Sequence, residues 1–121
     1  MQRGFNIDWK RQNKIVLRNF SESQDHHDMV KTILVRMLRR RYPDSHKIPI
    51  YTELDNGDGI GDVWIRIKSD IYIFEIQKTI TNPWLEEMGR RYSEVNLIVI
   101  PLKGMPTELE ALKLKLKEYL I

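Results

Sequence analysis

Hydrophobic and polar positions alternate most clearly in the middle of the chain. Val63, Ile65 and Ile67 interleave with Trp64 and Arg66, Lys68-Ser69-Asp70 breaks the run, and Ile71 to Ile76 resumes it. β-Branched and aromatic residues alternating around a short polar break predict two antiparallel strands joined as a hairpin. Upstream, Met29, Val30, Ile33, Leu34, Met37 and Leu38 recur at helical spacing. Ser21 and Gln24 are spaced like a capping box at the start of this helix, and Pro43 stops it just after Tyr42. Lys31, Arg36, Arg39 and Arg40 are expected on its solvent side, with Arg41 at its end. Ile48 to Leu54 predicts a strand, and Pro49 favours an edge or strand-start position for it.

Beyond the hairpin, Thr81-Asn82-Pro83 announces a second helix, with Asn82 as cap and Pro83 as first residue. Trp84, Leu85, Met88 and Tyr92 are expected to point inward from it. Asn96 to Ile100 is too apolar for a half-exposed strand and predicts a central one, buried on both faces. Pro106-Thr107 begins a last helix, with Leu109, Leu112, Leu116 and Leu120 inward. Residues 1–20, where Phe5, Ile7 and Trp9 alternate, read as a short hairpin or extended arm that could pack on a partner subunit. The order is arm, helix, three-strand meander, helix, strand, helix. That order predicts the α/β class, a mixed sheet with helices on both faces, with the strands of Glu75 and Leu97 parallel.

A length of 121 residues suits one domain, residues 1–121. With no cysteine, disulfides, thiolate metal sites and a cysteine nucleophile are excluded. No apolar run approaches membrane-spanning length and the first residues lack a signal-peptide core, so an intracellular, cytoplasmic protein without a membrane partner is expected. The net charge of +3 is unevenly spread: residues 1–47 hold 11 Lys/Arg against 5 Asp/Glu, and residues 48–121 hold 9 against 12. A basic first third beside an acidic centre suits a protein that grips a polyanion and coordinates metal nearby. An ordinary solvated surface accounts for the same distribution.

The chemistry concentrates in Asp62, at the start of the first hairpin strand, and Glu75, near the end of the second. The hairpin can set the two side by side, where they repel unless a cation lies between them. A hard divalent ion such as magnesium, which takes oxygen ligands, is the natural candidate. Glu75 is the strongest single signal, because it interrupts Ile-Tyr-Ile-Phe with a charge in what should be an inner strand. The structural alternatives are a strand-start acid at Asp62, turn formers at Asp55 and Asp58, and an ion pair from Arg66 to Glu75 or Glu53. Asp58-Gly-Ile-Gly-Asp62 lacks the strand-before, helix-after context of a nucleotide fingerprint. Arg39-Arg40-Arg41 partly serves the helix macrodipole but is denser than that needs, which points to phosphate contact. His26 and His27 lie about 100° apart on a helix, so both cannot readily ligate one metal. His27, or Glu22, Asp25 or Asp28, could face the centre if the helix packs beside the hairpin.

Gly61-Asp62-Val63 followed by Glu75-Ile76-Gln77, within an αβββαβ order, resembles the PD-(D/E)XK nuclease superfamily. The resemblance covers roughly residues 22–100 in topology and a handful of residues in motif. It implies a restriction-endonuclease-like core and a metal-dependent DNA endonuclease. Asp62, Glu75 and the backbone carbonyl of Ile76 would bind Mg²⁺ or Mn²⁺, with Glu53 as an additional ligand or outer acid. Gln77 stands where the family's usual lysine would be. Glutamine can orient a water but cannot counter phosphate charge, and strand alternation points the adjacent Lys78 away unless a bulge rotates it back. Arg36, Arg39, Arg40 and Lys78 would contact nucleic acid. Size and basic first helix look most like the Holliday junction resolvases of archaea and their viruses, which act on branched DNA as homodimers. The alternative is a nuclease-like fold that has lost catalysis and binds nucleic acid or a protein.

Overall fold

The computed structural model describes residues 22–44, 47–55 and 60–121. The N-terminal arm, the Ser21 cap and the turn at Asp58 lie outside them. Seven elements follow in order: α1 (Glu22–Arg41), β1 (Ile50–Asp55), β2 (Ile60–Ile67), β3 (Asp70–Gln77), α2 (Asn82–Arg91), β4 (Asn96–Pro101) and α3 (Leu109–Leu116). A 3-10 turn over Lys117–Tyr119 follows α3. This is an α/β domain built on a four-stranded mixed sheet of order β1-β2-β3-β4. The first two pairings are antiparallel and β3 with β4 is parallel. Among the described residues no helix is long and apolar enough to cross a membrane.

The period-2 pattern sorts side chains to two faces. Ile50, Val63, Ile65, Phe74, Ile76 and Ile100 pack with Val30, Leu34 and Leu38 of α1 and Leu112 and Leu116 of α3. Tyr51, Trp64, Ile71 and Ile73 pack on the opposite face with Met88 and Tyr92, which α2 brings over the sheet. Burying these chains is the main stabilising term, at about 1.5–3 kcal/mol for each large apolar side chain.

Several expectations need correction. β4 is an edge strand of the described sheet, and only Ile100 on it is fully buried. Its apolar run reflects helices over both faces, while strand order is set by the crossover that lays it beside β3. Thr81, not Asn82, caps α2: its hydroxyl oxygen accepts from the Trp84 amide at 3.2 Å. Glu108 caps α3, accepting from the Ala111 amide at 2.7 Å, so that helix starts later than Pro106. Leu85 is 41% exposed because Trp84, Met88 and Tyr92, four apart, form the inner stripe and Leu85 lies about 100° round from it. Leu109, the first residue of α3, is also left exposed.

Lys31 is fully buried rather than solvent-facing. It lies on the inner flank of α1 with buried Val35, four residues on, and its ammonium is 3.7 Å from Asp28 one turn earlier. Arg39 is likewise turned to structural work. Its guanidinium donates to the Tyr42 carbonyl at 2.9 Å and the Ile48 carbonyl at 3.0 Å, fastening the end of α1 to the approach to β1. Burial lowers its pKa.

Gly61 admits no side chain. A Cβ there would run into the Trp64 indole nitrogen and come within 2.9 Å of its Cε2 and 2.8 Å of Ile73 Cγ2. Trp64 is buried, 2% exposed, and cannot swing aside. Gly61→Ala is therefore expected to destabilise by about 1–3 kcal/mol, read from denaturant midpoints, through overpacking under the indole. A variant as stable as the wild type would show that Trp64 has room to move.

Candidate active site

The pairing of β2 with β3 runs from Ile67↔Asp70 to Val63↔Phe74 and stops there, although both strands continue. One more rung would set Asp62 opposite Glu75. Instead the Asp62 Oδ2 accepts the Ile76 amide at 2.7 Å, so a side chain takes the donor that the ladder gives up. The sheet forks at this point. A cavity of about 290 Å³ opens in the fork, lined by Gln24, His27, Asp62, Glu75, Ile76, Gln77, Lys78 and Leu102. It is small and mostly polar in its lining, which suits an ion and a phosphate better than a large apolar ligand.

Each wall has an identifiable support. α1 lies on the first face through Val30 and Leu34, and His27 continues that stripe one turn earlier, at the fork. His27 Nε2 is 3.2 Å from Asp62 Oδ1, and its Nδ1 is 3.5 Å from Asp28 Oδ1. The Gln24 amide donates to the same Asp28 oxygen at 2.9 Å. The hydrogen bond to Asp62 raises the pKa of His27, with the Asp62 charge and Asp28 adding to it, while burial and Lys31 oppose.

From the other face Tyr92, the C-cap residue of α2, donates its hydroxyl to Glu75 Oε1 at 3.3 Å. The Tyr92 ring meets Trp64 edge-on, with centroids 6.1 Å apart and planes at 84°. Burial and the charge of Glu75 push the Tyr92 phenol up to about 12, so it stays a donor.

Glu75 is 8% exposed. Burial, and then the Asp62 carboxylate, push its pKa up to about 8, and the Tyr92 hydrogen bond, Arg91 and His27 only partly offset them. Two acids are thus held in one fork with too little positive charge for both to ionise at neutral pH.

The expected site residues therefore divide. Asp62, Glu75, Ile76, Gln77, Lys78 and His27 share the cavity. The backbone of Glu53, between the pairs Thr52↔Val63 and Leu54↔Gly61, is abreast of Asp62, and its side chain lies outside the described set. Gln77 does not aim its amide at the acids: Nε2 donates to the Thr79 carbonyl at 3.2 Å. Arg36 and Arg40 are exposed on α1, about 13 and 20 Å along its axis from His27 by helical rise. His26 does not line the cavity. Among the described residues, no three His, Asp or Glu side chains form a ready-made metal cage. Magnesium needs no such cage, since one or two carboxylates, waters and substrate phosphates suffice.

Asp28, one of the first-helix acids expected near the centre, lies against His27, whereas Tyr92 and Lys31 are additions that the sequence signals only indirectly. Gln24, His27, Asp28 and Lys31 are three and four apart on one helix, the spacing at which side chains meet. Tyr92 belongs to the inner stripe of α2, and a buried phenol needs a polar partner, which Glu75 supplies. No protein-family model matches the chain, and no curated protein or solved structure is significantly similar to it.

Because the folded chain keeps the Glu75 proton to about pH 8 while the ordinary value is 4.5, it binds more protons than the unfolded chain between those limits. The stability this group contributes is full below pH 4.5 and is lost as pH rises through about 8. Glu75→Gln, which keeps an oxygen for Tyr92 and removes the charge, should stabilise by about 1–3 kcal/mol at pH 8 and much less at pH 5. Thermal unfolding at the two pH values checks this, and an equal effect at both would refute it.

Proposed function

We propose that this protein is a Mg²⁺- or Mn²⁺-dependent endonuclease that hydrolyses phosphodiester bonds in DNA, on a core of the PD-(D/E)XK kind. The observation that carries it is the meeting of Asp62 with a buried, under-neutralised Glu75 in a small polar fork. The donor set fits the ion: two carboxylates and a strand backbone at Ile76 offer oxygen ligands, and the rest of the shell can be water and phosphate. When bound, such an ion stabilises charge on the phosphate and lowers the pKa of a coordinated water.

The chain's own groups hold this arrangement ready. The Ile76 amide and His27 fix both oxygens of Asp62, and Tyr92 fixes one oxygen of Glu75. Glu75 would have to lose its proton to hold a cation. Arg36 and Arg40, further along α1, serve phosphates flanking the cut, and their contribution weakens with salt. A homodimer cutting both strands of a four-way junction is the finer form of the proposal.

Linear duplexes and four-way junctions, incubated with Mg²⁺ or Mn²⁺, should be cut by the wild type. Asp62→Ala and Glu75→Ala should each lower the rate by roughly a hundredfold or more. Cutting that survives both substitutions would end the proposal. The alternative, binding without cleavage, draws on the Gln77 amide being engaged by Thr79, and predicts salt-sensitive DNA binding with no product.

Cation binding should also carry a proton signature. Calorimetric Mn²⁺ titrations at pH 7, in buffers of different ionisation enthalpy, should release close to one proton per ion. Apparent affinity should weaken about tenfold per pH unit below about 8. Glu75→Gln should bind more weakly and release none; proton release unchanged in that variant would place the titrating group elsewhere.

A further inference from the structure

Among the described residues the exposed large apolar side chains are Ile80, Leu85, Leu109 and Leu114. Two of these, Ile80 at 37% and Leu85 at 41% exposure, flank the start of α2. With Thr81 as the cap they hold the N′ and N4 positions, where the two side chains of a hydrophobic staple pack together across the first turn. The staple fixes how the chain enters α2 and accounts for the pair being adjacent. It does not take them out of water.

This apolar pair lies close to the fork. Lys78, just past β3, is among the residues lining the cavity, and two steps of about 3.8 Å carry the chain from its Cα to that of Ile80. The separation is therefore at most about two nucleotide rises of roughly 3.4 Å each. Charge along the same stretch favours a polyanion. From Ile76 to Leu85 the chain carries one lysine and no acid, and the first turn of α2 has none, although 17 of the 121 residues are Asp or Glu. A nucleic-acid strand offers phosphates and, where its bases are unstacked, flat apolar faces as well. In an intact duplex those faces are covered by neighbouring bases, so an apolar patch gains nothing from them.

Resting on the endonuclease reading above, we propose that Ile80 and Leu85 form a subsite for an unstacked base one or two nucleotides from the scissile phosphate. Contact removes the base face and both side chains from water, and the gain follows the apolar area covered. The subsite reads no sequence, because every base has a face to cover. It gives the protein a preference for DNA whose bases are unpaired beside the cut.

Affinity measured in Ca²⁺ tests this with an intact duplex, a duplex of equal length with a short single-stranded gap, and the same gap made abasic. The wild type should bind the gapped duplex about three- to tenfold more tightly than either of the others. Ile80→Thr combined with Leu85→Gln should bring the gapped duplex down to the level of the intact one. Binding of the intact duplex should stay within about twofold, with its salt dependence unchanged because no charge is altered. Leu85→Phe, which offers an aromatic face, should tighten gapped-duplex binding by about threefold more, a gain that damage to the fold cannot produce. Equal wild-type affinity for the gapped probe and either of the others, or a preference that survives the double substitution, overturns the inference and leaves the endonuclease standing. So does a wild-type dimer that the double substitution turns into a monomer in sedimentation, since the patch then belongs to a protein interface. A wild type that cuts none of these DNAs with Mn²⁺ overturns the endonuclease and the inference with it.

Discussion

The structure turns on the point where two paired strands stop pairing. An antiparallel ladder between β2 and β3 has room for another rung beyond Val63↔Phe74, and that rung would press Asp62 against Glu75. The Asp62 carboxylate accepts the Ile76 amide instead. A hydrogen bond to a charged acceptor is stronger than a neutral backbone one, so the strands part without leaving a buried donor unsatisfied. What the sheet loses in pairing it regains as a cavity with an acid on each wall.

The fork is held from both faces by different means. On one, the stripe His27, Val30, Leu34 and Leu38 runs the length of α1, so the packing that seats the helix also sets His27 against Asp62. Arg39 fastens the far end to the carbonyls of Tyr42 and Ile48, which fixes where the near end falls. On the other face, Gly61 makes room for the Trp64 indole, Trp64 meets Tyr92, and Tyr92 holds Glu75. Each link is apolar packing or one hydrogen bond, and together they place a carboxyl in the middle of a hydrophobic layer.

Element order and the two acids were legible in the sequence because both rest on local signals: period-2 and period-3.6 patterns, Pro83 near a helix start, and a charge inside Ile-Tyr-Ile-Phe. What was not legible depended on neighbours. An apolar strand reports what covers its faces but not which strands flank it, so β4 read as central and lies at an edge. A lysine on a helix reads as solvent-facing unless an acid one turn back is known to be half-buried beside it, as Asp28 is for Lys31. Arg39 looked like part of a phosphate-binding run because its acceptors are backbone carbonyls, which every sequence position offers equally. β3 ends at Gln77, so strand alternation does not decide where Lys78 points.

The balance of charge around Glu75 separates a structural network from a receiving one. A buried acid kept for architecture is normally compensated until its ionised form is favoured, as in a hydrogen-bonded ion pair. Here the compensation falls short: Tyr92, Arg91 and His27 all act on Glu75, yet burial and Asp62 still push it up to about 8. Holding that carboxyl in the sheet therefore costs stability at neutral pH, and an apolar side chain at the same position would not carry the cost. A positive charge from outside the chain would reverse the deficit, and the cavity beside it is open and polar. An acid pair short of positive charge beside an open polar cavity is the electrostatic arrangement that the proposed cation site requires.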